Sequence, residues 1–168
     1  YETPLGNIKV DMEFSKYLMN KYDFLNINEE CAFEHSTETQ APFIKHYFKN
    51  AQIVEIVYAN QDFESLSILI DEVVENKDNL LVISTDLSHF HSLEEAKKLD
   101  ENCIEAINKK DISMLQIGEA CGKIGIKAIL KTAIKKSLKA KVLDYSTSCD
   151  INNDKSRVVG YTTALIGK

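Results

Sequence analysis

The residues best suited to chemistry are a carboxylate and two imidazoles that lie close together, at Asp86, His89 and His91. An imidazole beside a carboxylate can serve as a general acid or base, because its pKa lies near neutral pH. The interval between Asp86 and His89 therefore predicts an acid–base pair. The alternative is structural, with Asp86 capping a turn and His89 packing beside a sheet. His91 and His46 can serve as metal ligands, although a surface or supporting position is the simpler interpretation.

The sequence on either side of this pair predicts its place in the fold. Residues 79–83 form a short apolar run, typical of a buried strand that ends near Thr85. Ser92 and Glu95 have the spacing of a capping box, which opens a helix. The pair is thus predicted to lie on a strand-to-helix connection. In open α/β sheets, that edge is where ligands bind.

A second polar cluster surrounds another predicted helix start. It contains Glu34, His35 and Glu38, together with Thr37 and Gln40, whose spacing again suggests a capping box. Such a cluster can hold an anion or orient a metal-bound water through helix N–H groups. Capping alone explains Thr37 and Gln40, but it explains the other three side chains less well.

Cys121 is the cysteine best placed for reactivity, since Cys121-Gly122 falls at a predicted break between two helices. A helix N-terminus can lower the pKa of a thiol, which would then serve as a nucleophile or metal ligand. The alternative is inert packing, which is usual for free cysteines. The cysteines are scattered without a Cys-x-x-Cys pair, which predicts reduced thiols and a cytoplasmic location rather than a disulfide framework.

Composition narrows the class of protein. The 168-residue sequence is 44% hydrophobic and 27% charged, as expected of one soluble globular domain. Its net charge of −6 argues against a nucleic-acid binder. No apolar run approaches the roughly 20 residues of a membrane span, and no signal-peptide pattern is visible. The sequence opens on Tyr1 without a Met, so we expect a fragment of a longer protein.

Apolar periodicity divides the chain into alternating helices and strands, which predicts a layered α/β fold. Helices are predicted over residues 11–22, from about 37 to 48, and over 62–75, 93–108, 111–118 and 122–140. Strands are predicted over residues 8–10, 53–58, 79–85, 142–147 and 158–166. The second helix is expected to turn inward Phe43, Ile44, Tyr47 and Phe48. The lysines of helix 122–140 are interpreted as a solvated face, with a partner-binding patch as the alternative.

Five stretches of the chain have the order and separation of motifs that occur together in one known family. They are Tyr1-Glu2-Thr3-Pro4-Leu5-Gly6, Glu34-His35-Ser36-x-Glu38-x-Gln40-x-Pro42-Phe43, Ser84-Thr85-Asp86-Leu87-Ser88-His89, Cys121-Gly122, and Tyr145-Ser146-Thr147-Ser148 with Val159-Gly160-Tyr161. Together they resemble the Memo family, also called AmmeMemoRadiSam system protein B in bacteria and archaea. Any one stretch is weak, but five in this order are specific. The resemblance covers nearly all of the chain.

This resemblance implies a fold similar to class III extradiol dioxygenases, with a mixed sheet between helical layers and a non-haem metal pocket at the strand ends. Iron, as Fe²⁺, is the expected metal, and another divalent metal is the alternative. Cys121 matches the family's metal-associated cysteine, whereas Asp86 and His89 match the pocket acid and its acid–base imidazole. By the same analogy, the cleft is lined by Glu34, His35 and Glu38.

The chain departs from the family by lacking an N-terminal portion with two metal-binding histidines. Gly125 also stands where many members have proline. We therefore expect residues 1–168 to be the C-terminal portion of a single Memo-like α/β domain, with an incomplete metal site. An apolar edge or face should be exposed where the missing portion would cover it. Either a separate chain supplies that portion, or the chain is a fragment.

Two functions of different classes follow from these expectations. The first is a metal-dependent oxidoreductase of dioxygenase type, in which His89 is the acid–base, Asp86 orients it and Cys121 binds metal beside histidines from elsewhere. A thiolate in place of the carboxylate of the usual iron triad is a departure from dioxygenases. The second is a non-catalytic binding or scaffold protein that uses the cleft for a peptide or small ligand. Glu34, Glu38 and Asp86 would make this cleft acidic, which disfavours a phosphate ligand unless a metal or an arginine compensates, and Arg157 is the single arginine.

Overall fold

The computed structural model of the protein describes residues 1–26, 35–59 and 61–168. The chain divides into two compact units, Tyr1–Asn60 and Gln61–Lys168. The first unit contains, in chain order, β1 (Lys9–Val10), α1 (Met12–Lys21), α2 (Ser36–Tyr47) and β2 (Gln52–Ile53). β1 and β2 pair in parallel.

Helix α1 forms as its sequence predicts. The Asp11 side chain accepts a hydrogen bond from the Phe14 N–H at 2.9 Å, which satisfies one of the free donors at the helix start. Leu18 and Tyr22 are buried on the expected face. The apolar spacing and the cap therefore specify this helix together.

Helix α2 differs from its prediction at both its start and its buried face. It begins at Ser36 with His35 as N-cap, and no side chain caps it. The capping-box start at Thr37 would place Pro42 in the first turn, where proline is tolerated, but Pro42 lies in the helix interior and withholds one backbone N–H there. The helix buries Ala41, whereas Phe43 and Tyr47 are 64% and 73% exposed. The helix face with Phe43 and Tyr47, which was expected to be buried, is therefore exposed. The helix packs through Ala41 instead.

The strand predicted over residues 53–58 is mostly absent. β2 covers only Gln52–Ile53, and residues 54–58 carry no strand assignment. Its partner β1 is equally short, because Asp11 already caps α1. The ladder between them ends where the partner ends, although the apolar sequence continues.

The second unit supplies most of the regular structure. In chain order it contains α3 (Phe63–Val73), β3 (His89–His91), α4 (Leu93–Lys109), a 3-10 helix (Ile112–Gln116), α5 (Lys123–Lys135), β4 (Lys139–Thr147), α6 (Cys149–Asn152) and β5 (Val158–Gly167). The strands form an antiparallel sheet in the order β3-β5-β4. The main apolar core comprises Leu87, Cys103, Ala106, Ile107, Leu115, Ala120, Ile126 and Leu130. Helix 93–108 and the strands 142–147 and 158–166 are confirmed within a few residues.

The buried strand predicted over residues 79–83 is wrong. Residues 79–88 carry no strand assignment, and Leu80 and Val82 are 68% and 49% exposed. In the described sheet, β5 already has β3 on one side and β4 on the other, and β3 starts only at His89. Residues 79–83 pair with none of the described strands, despite their apolar sequence.

Helix α5 is shorter than its prediction. It ends at Lys135 rather than near Ala140, because Ser137 adopts a left-handed φ of 54° and Lys139 begins β4. Lys131 of α5 binds Glu64 of α3 at 2.9 Å, and Lys136, the C-cap of α5, binds Glu75 just after α3 at 3.0 Å. The Lys131 and Lys135 side chains are exposed, as predicted for a solvated face, and they also form ion pairs with α3.

The fold class is mixed α/β, as the alternation of elements predicts. In the described residues the strands form two small sheets, one parallel and one antiparallel, rather than a single mixed sheet. No helix in this part of the chain is both long and apolar enough to cross a membrane.

Candidate functional site

The segment that leads to His89 is anchored on β5. The Leu87 N–H donates to the Gly160 carbonyl at 2.9 Å, and the Gly160 N–H donates to the Ser88 carbonyl at 3.0 Å. The Leu87 side chain is fully buried in the core. Residues 86–89 therefore follow a fixed path on the sheet, although most of that path is not a regular strand.

The Asp100 side chain, on α4, fixes this segment by hydrogen bonding. Its Oδ1 accepts the Ser88 N–H at 2.9 Å, and its Oδ2 accepts the Tyr145 hydroxyl at 2.7 Å. Burial and the adjacent carboxylate together raise the pKa of Tyr145 well above its usual range, so the hydroxyl stays a donor. Gly160 approaches so closely that a Cβ there would overlap the Asp100 carboxylate. A glycine is needed at this position for space.

The predicted acid–base pair is present in the geometry. The His89 Nε2 lies 3.4 Å from the Asp86 Oδ2, and both side chains are partly exposed. A carboxylate at this distance can orient an imidazole and stabilise its protonated form. The structure thus brings Asp86 and His89 together at the surface, within reach of a solute.

Cys121 lies at the same place. The Asp86 N–H donates to its Sγ at 3.2 Å, and the Thr85 Oγ1 lies 3.4 Å from that sulfur. The Gly122 N–H, at the start of α5, donates to the Thr85 Oγ1 at 2.7 Å. The exposed thiol is therefore joined to the residue that contacts His89. Sequence placed Cys121 at a helix start, and the structure adds its contact with Asp86.

Glu119 and His91 complete the cluster, and sequence analysis did not single out Glu119. Its Oε2 lies 2.9 Å from the His91 Nε2, and its Oε1 accepts the His89 N–H at 3.2 Å. The hydrogen bond to Glu119 raises the pKa of His91. Burial tends to raise the pKa of Glu119, but the bonds from His91 and His89 outweigh it and lower that pKa. Its position two residues before Cys121 was the only signal available in the sequence.

The second predicted cluster lies in the first unit. The His35 Nδ1 lies 2.9 Å from the Glu38 Oε2, and both side chains are largely exposed. Glu34 and Cys31 lie outside the described residues. His46 packs edge-on against Tyr47 with ring centroids 4.7 Å apart, which fits the surface interpretation.

The remaining described cysteines fit the inert interpretation. Cys103 and Cys149 are buried free thiols. Burial raises the pKa of Cys103 to about 11, and its Sγ donates to the Glu119 carbonyl at 3.4 Å. A protonated, buried thiol is a poor nucleophile. Cys121 is the exposed one among the described cysteines.

The described residues do not by themselves form a metal centre. Among residues 1–26, 35–59 and 61–168, no group of three or more His, Cys, Asp or Glu side chains is arranged to hold a metal ion. Cys121 can supply one thiolate, whereas the imidazoles of His89 and His91 contact the carboxylates of Asp86 and Glu119. A metal site at this place would require ligands from outside the described residues.

The fold and the site define a class: a mixed α/β protein with an acid, an imidazole and a thiol grouped beside an antiparallel sheet. The chain belongs to the Memo-like protein family, whose model matches residues 1–165. The resemblance drawn from the five stretches is thereby confirmed.

Curated relatives agree with this assignment. A MEMO1 family protein of Saccharolobus solfataricus is 34% identical, over 99% of this chain and 64% of that protein. One from Sulfolobus acidocaldarius is 35% identical, over 99% of this chain and 63% of that protein. One from Methanobrevibacter smithii is 32% identical, over 97% and 62% respectively. The chain thus spans less than two thirds of the length of these relatives.

Proposed function

We propose that this protein is the part of a Memo-like, dioxygenase-type oxidoreductase that carries the acid–base pair and one metal-binding thiolate. The observation that supports the proposal is the grouping of Asp86, His89 and Cys121. The Asp86 N–H donates to the Cys121 sulfur at 3.2 Å, and the Asp86 carboxylate lies 3.4 Å from the His89 imidazole. Three residues of different chemistry, separated along the chain, meet at one exposed point. The proposal includes a cleft lined by Glu34, His35 and Glu38. It also includes a cytosolic location for the protein.

His89 is the group that would exchange protons with a bound substrate. Its imidazole is exposed enough to reach a solute and lies 3.4 Å from the Asp86 carboxylate, which can orient it. General acid–base catalysis by such a group contributes about 10²–10⁴-fold in rate. Asp86 is the orienting carboxylate.

Cys121 would contribute a thiolate to a metal, with Fe²⁺ as the first candidate and another divalent metal as the second. When bound, the metal would supply redox and Lewis-acid chemistry. The described residues alone do not complete its ligand set. We therefore propose that histidines come from an N-terminal portion of the same domain. The match covers 64% of the Saccharolobus solfataricus relative, so that protein has further length beyond the matched region.

The test is reconstitution with that portion. The chain is co-expressed with the segment of a MEMO1 relative that it does not match, purified without oxygen, loaded with Fe²⁺ and assayed for metal content and for oxygen uptake with catechol. We expect stoichiometric iron. Cys121→Ser should lower the iron content about tenfold or more. His89→Gln should retain iron but lose about 10²-fold or more of any oxygen uptake.

Matched controls separate the site from general damage. Cys149→Ser and His46→Gln change the same residue types away from the cluster, and both should behave as the unaltered protein. A reconstituted protein that neither binds iron nor consumes oxygen would remove the enzyme proposal.

A non-catalytic binding protein is the second candidate, favoured by one observation. The Arg157 guanidinium lies 4.8 Å from the centroid of the exposed Phe90 ring, directly beside His89. A cation on an aromatic face can hold a peptide or small anion without a metal. Binding of a partner that survives His89→Ala but fails in Arg157→Gln would support this candidate over the enzyme.

A further inference from the structure

Glu119 occupies a position from which it can control His89. One carboxylate oxygen accepts the backbone N–H of His89 at 3.2 Å, and the other lies 2.9 Å from the His91 Nε2. A single side chain thus contacts the residues on both sides of Phe90. It also stands two residues before Cys121, so it joins the two segments that build the site.

The backbone between the two histidines is strained. Phe90 has a φ of 63°, in the left-handed region that disfavours bulky side chains. The pairing with β5 shifts here: His89 faces Val159 and His91 faces Val158, so Phe90 is the extra residue of a bulge. Such a conformation persists only when its surroundings hold it.

Glu119 is well fixed for that purpose. Its neighbour Gly118 packs against α4 so closely that a Cβ would overlap the Cys103 sulfur. The Glu119 carbonyl accepts the Cys103 thiol at 3.4 Å. Because its backbone contacts Cys103 on the buried face of α4, its carboxylate offers His89 an acceptor where the ladder with β5 is interrupted.

We propose that Glu119 is the positioning residue for His89: by accepting the His89 amide and binding His91, it holds the Phe90 bulge and presents the His89 imidazole to Asp86. This inference rests on the proposed role of His89 as the acid–base. Asp86 contacts the imidazole, whereas Glu119 acts on it through the backbone.

The experiment is NMR on the isotopically labelled chain at one fixed pH, with the variants Glu119→Ala, Glu119→Gln and His91→Gln. The signals read are the His89 amide, its hydrogen exchange, the His89 ring nitrogens and the Phe90 Cα shift, which reports the positive φ. Glu119→Ala should move all of these and speed amide exchange about fivefold or more, as expected for one lost hydrogen bond. Glu119→Gln keeps an oxygen acceptor and should restore them. His91→Gln should leave the His89 amide in place.

Two results would overturn the inference. One is a folded Glu119→Ala protein with unaltered His89 ring signals and Phe90 Cα shift. The other needs no variant, and so stands even if Glu119→Ala fails to fold: rapid exchange of the His89 amide in the unaltered protein. Because none of these signals depends on metal or turnover, failure of the proposed enzyme activity and failure of the positioning role are distinguished.

Discussion

Asp100 is a buried carboxylate whose partners lie on different elements. It belongs to α4, it accepts from the backbone of Ser88 just before β3, and it accepts from Tyr145 on β4. A charge removed from water is tolerated only when its oxygens are hydrogen-bonded, and both oxygens of Asp100 are. The path from Asp86 to His89 therefore depends on a residue that does not itself touch a solute.

Replacing Asp100 tests this dependence. Asp100→Ala leaves the Ser88 N–H and the Tyr145 hydroxyl without their acceptor in a buried place, so the free energy of unfolding should fall by about 2–5 kcal/mol. Urea unfolding followed by circular dichroism measures the change. Glu101→Ala, an exposed neighbour on α4, should stay within about 0.5 kcal/mol of the unaltered protein. Equal stability of the two variants would show that the Asp100 contacts contribute little.

Sequence could single out Asp86, His89 and Cys121 as candidates because each has a reactive side chain at a predicted break between elements, and the structure places them close together. It could not predict Glu119 or Asp100 as their supports. Both are ordinary acidic residues in the sequence, and their importance arises only when distant segments pack together. Ser88 and Tyr145, for example, are far apart in the sequence. Asp100 accepts a hydrogen bond from each of them only in the folded chain, and no local sequence pattern indicates this.

At the scale of elements, helices were predicted better than strands. The starts of α4 and α1 follow from N-caps, such as Ser92 accepting the Glu95 N–H, which act within one turn. A strand forms only beside another strand with which it can pair. The apolar runs at 53–58 and 79–83 do not indicate whether such a partner strand is present. Pro42 shows the same limit for helices. A helix beginning at the capping box would place this proline in the first turn, but α2 begins earlier, so the proline lies in the helix interior.

Helices α3 and α5 are joined by ion pairs along their exposed sides. Lys131 and Lys135 of α5 contact acids of α3, and Lys136 at the end of α5 contacts Glu75 just after α3. Burial tends to raise the pKa of Asp71, but the hydrogen bonds from Lys135 and Thr132 and the charges of the lysines together lower it. The lysines are therefore better explained as links between helices than as a surface kept for a partner.

Changing Lys131, Lys135 and Lys136 together to Gln should lower the midpoint of thermal unfolding by a few degrees at low salt. The effect should be small because the three ion pairs are exposed and individually weak. The difference should nearly vanish in about 1 M NaCl, where exposed charges are screened. A control with Lys139, Lys141 and Lys155 changed to Gln removes the same charge away from the α3–α5 contact. If both triple variants lose equal stability, net charge and not pairing is the cause.

At the scale of the whole molecule, apolar side chains are exposed in segments that have strand-like sequences without strand partners. Leu80 and Val82 lie in one such segment, and Val57 lies in another. Contiguous exposed apolar surface is one of the features of protein–protein contacts. The proposal that an N-terminal portion completes this domain gives these segments a partner.

Hydrogen–deuterium exchange tests that arrangement. In the isolated chain, amides of residues 80–83 should exchange far faster than those of β5, because β5 is paired on both sides and residues 80–83 have no described strand beside them. After reconstitution with the unmatched segment of a MEMO1 relative, residues 80–83 should become protected, while β5 stays as it was. The helix α4 serves as an internal reference, since its amides are already bonded within the helix. Protection of residues 80–83 in the isolated chain would mean that these residues already have a partner. Unchanged exchange in the complex would mean that the added portion, if it binds, does so elsewhere.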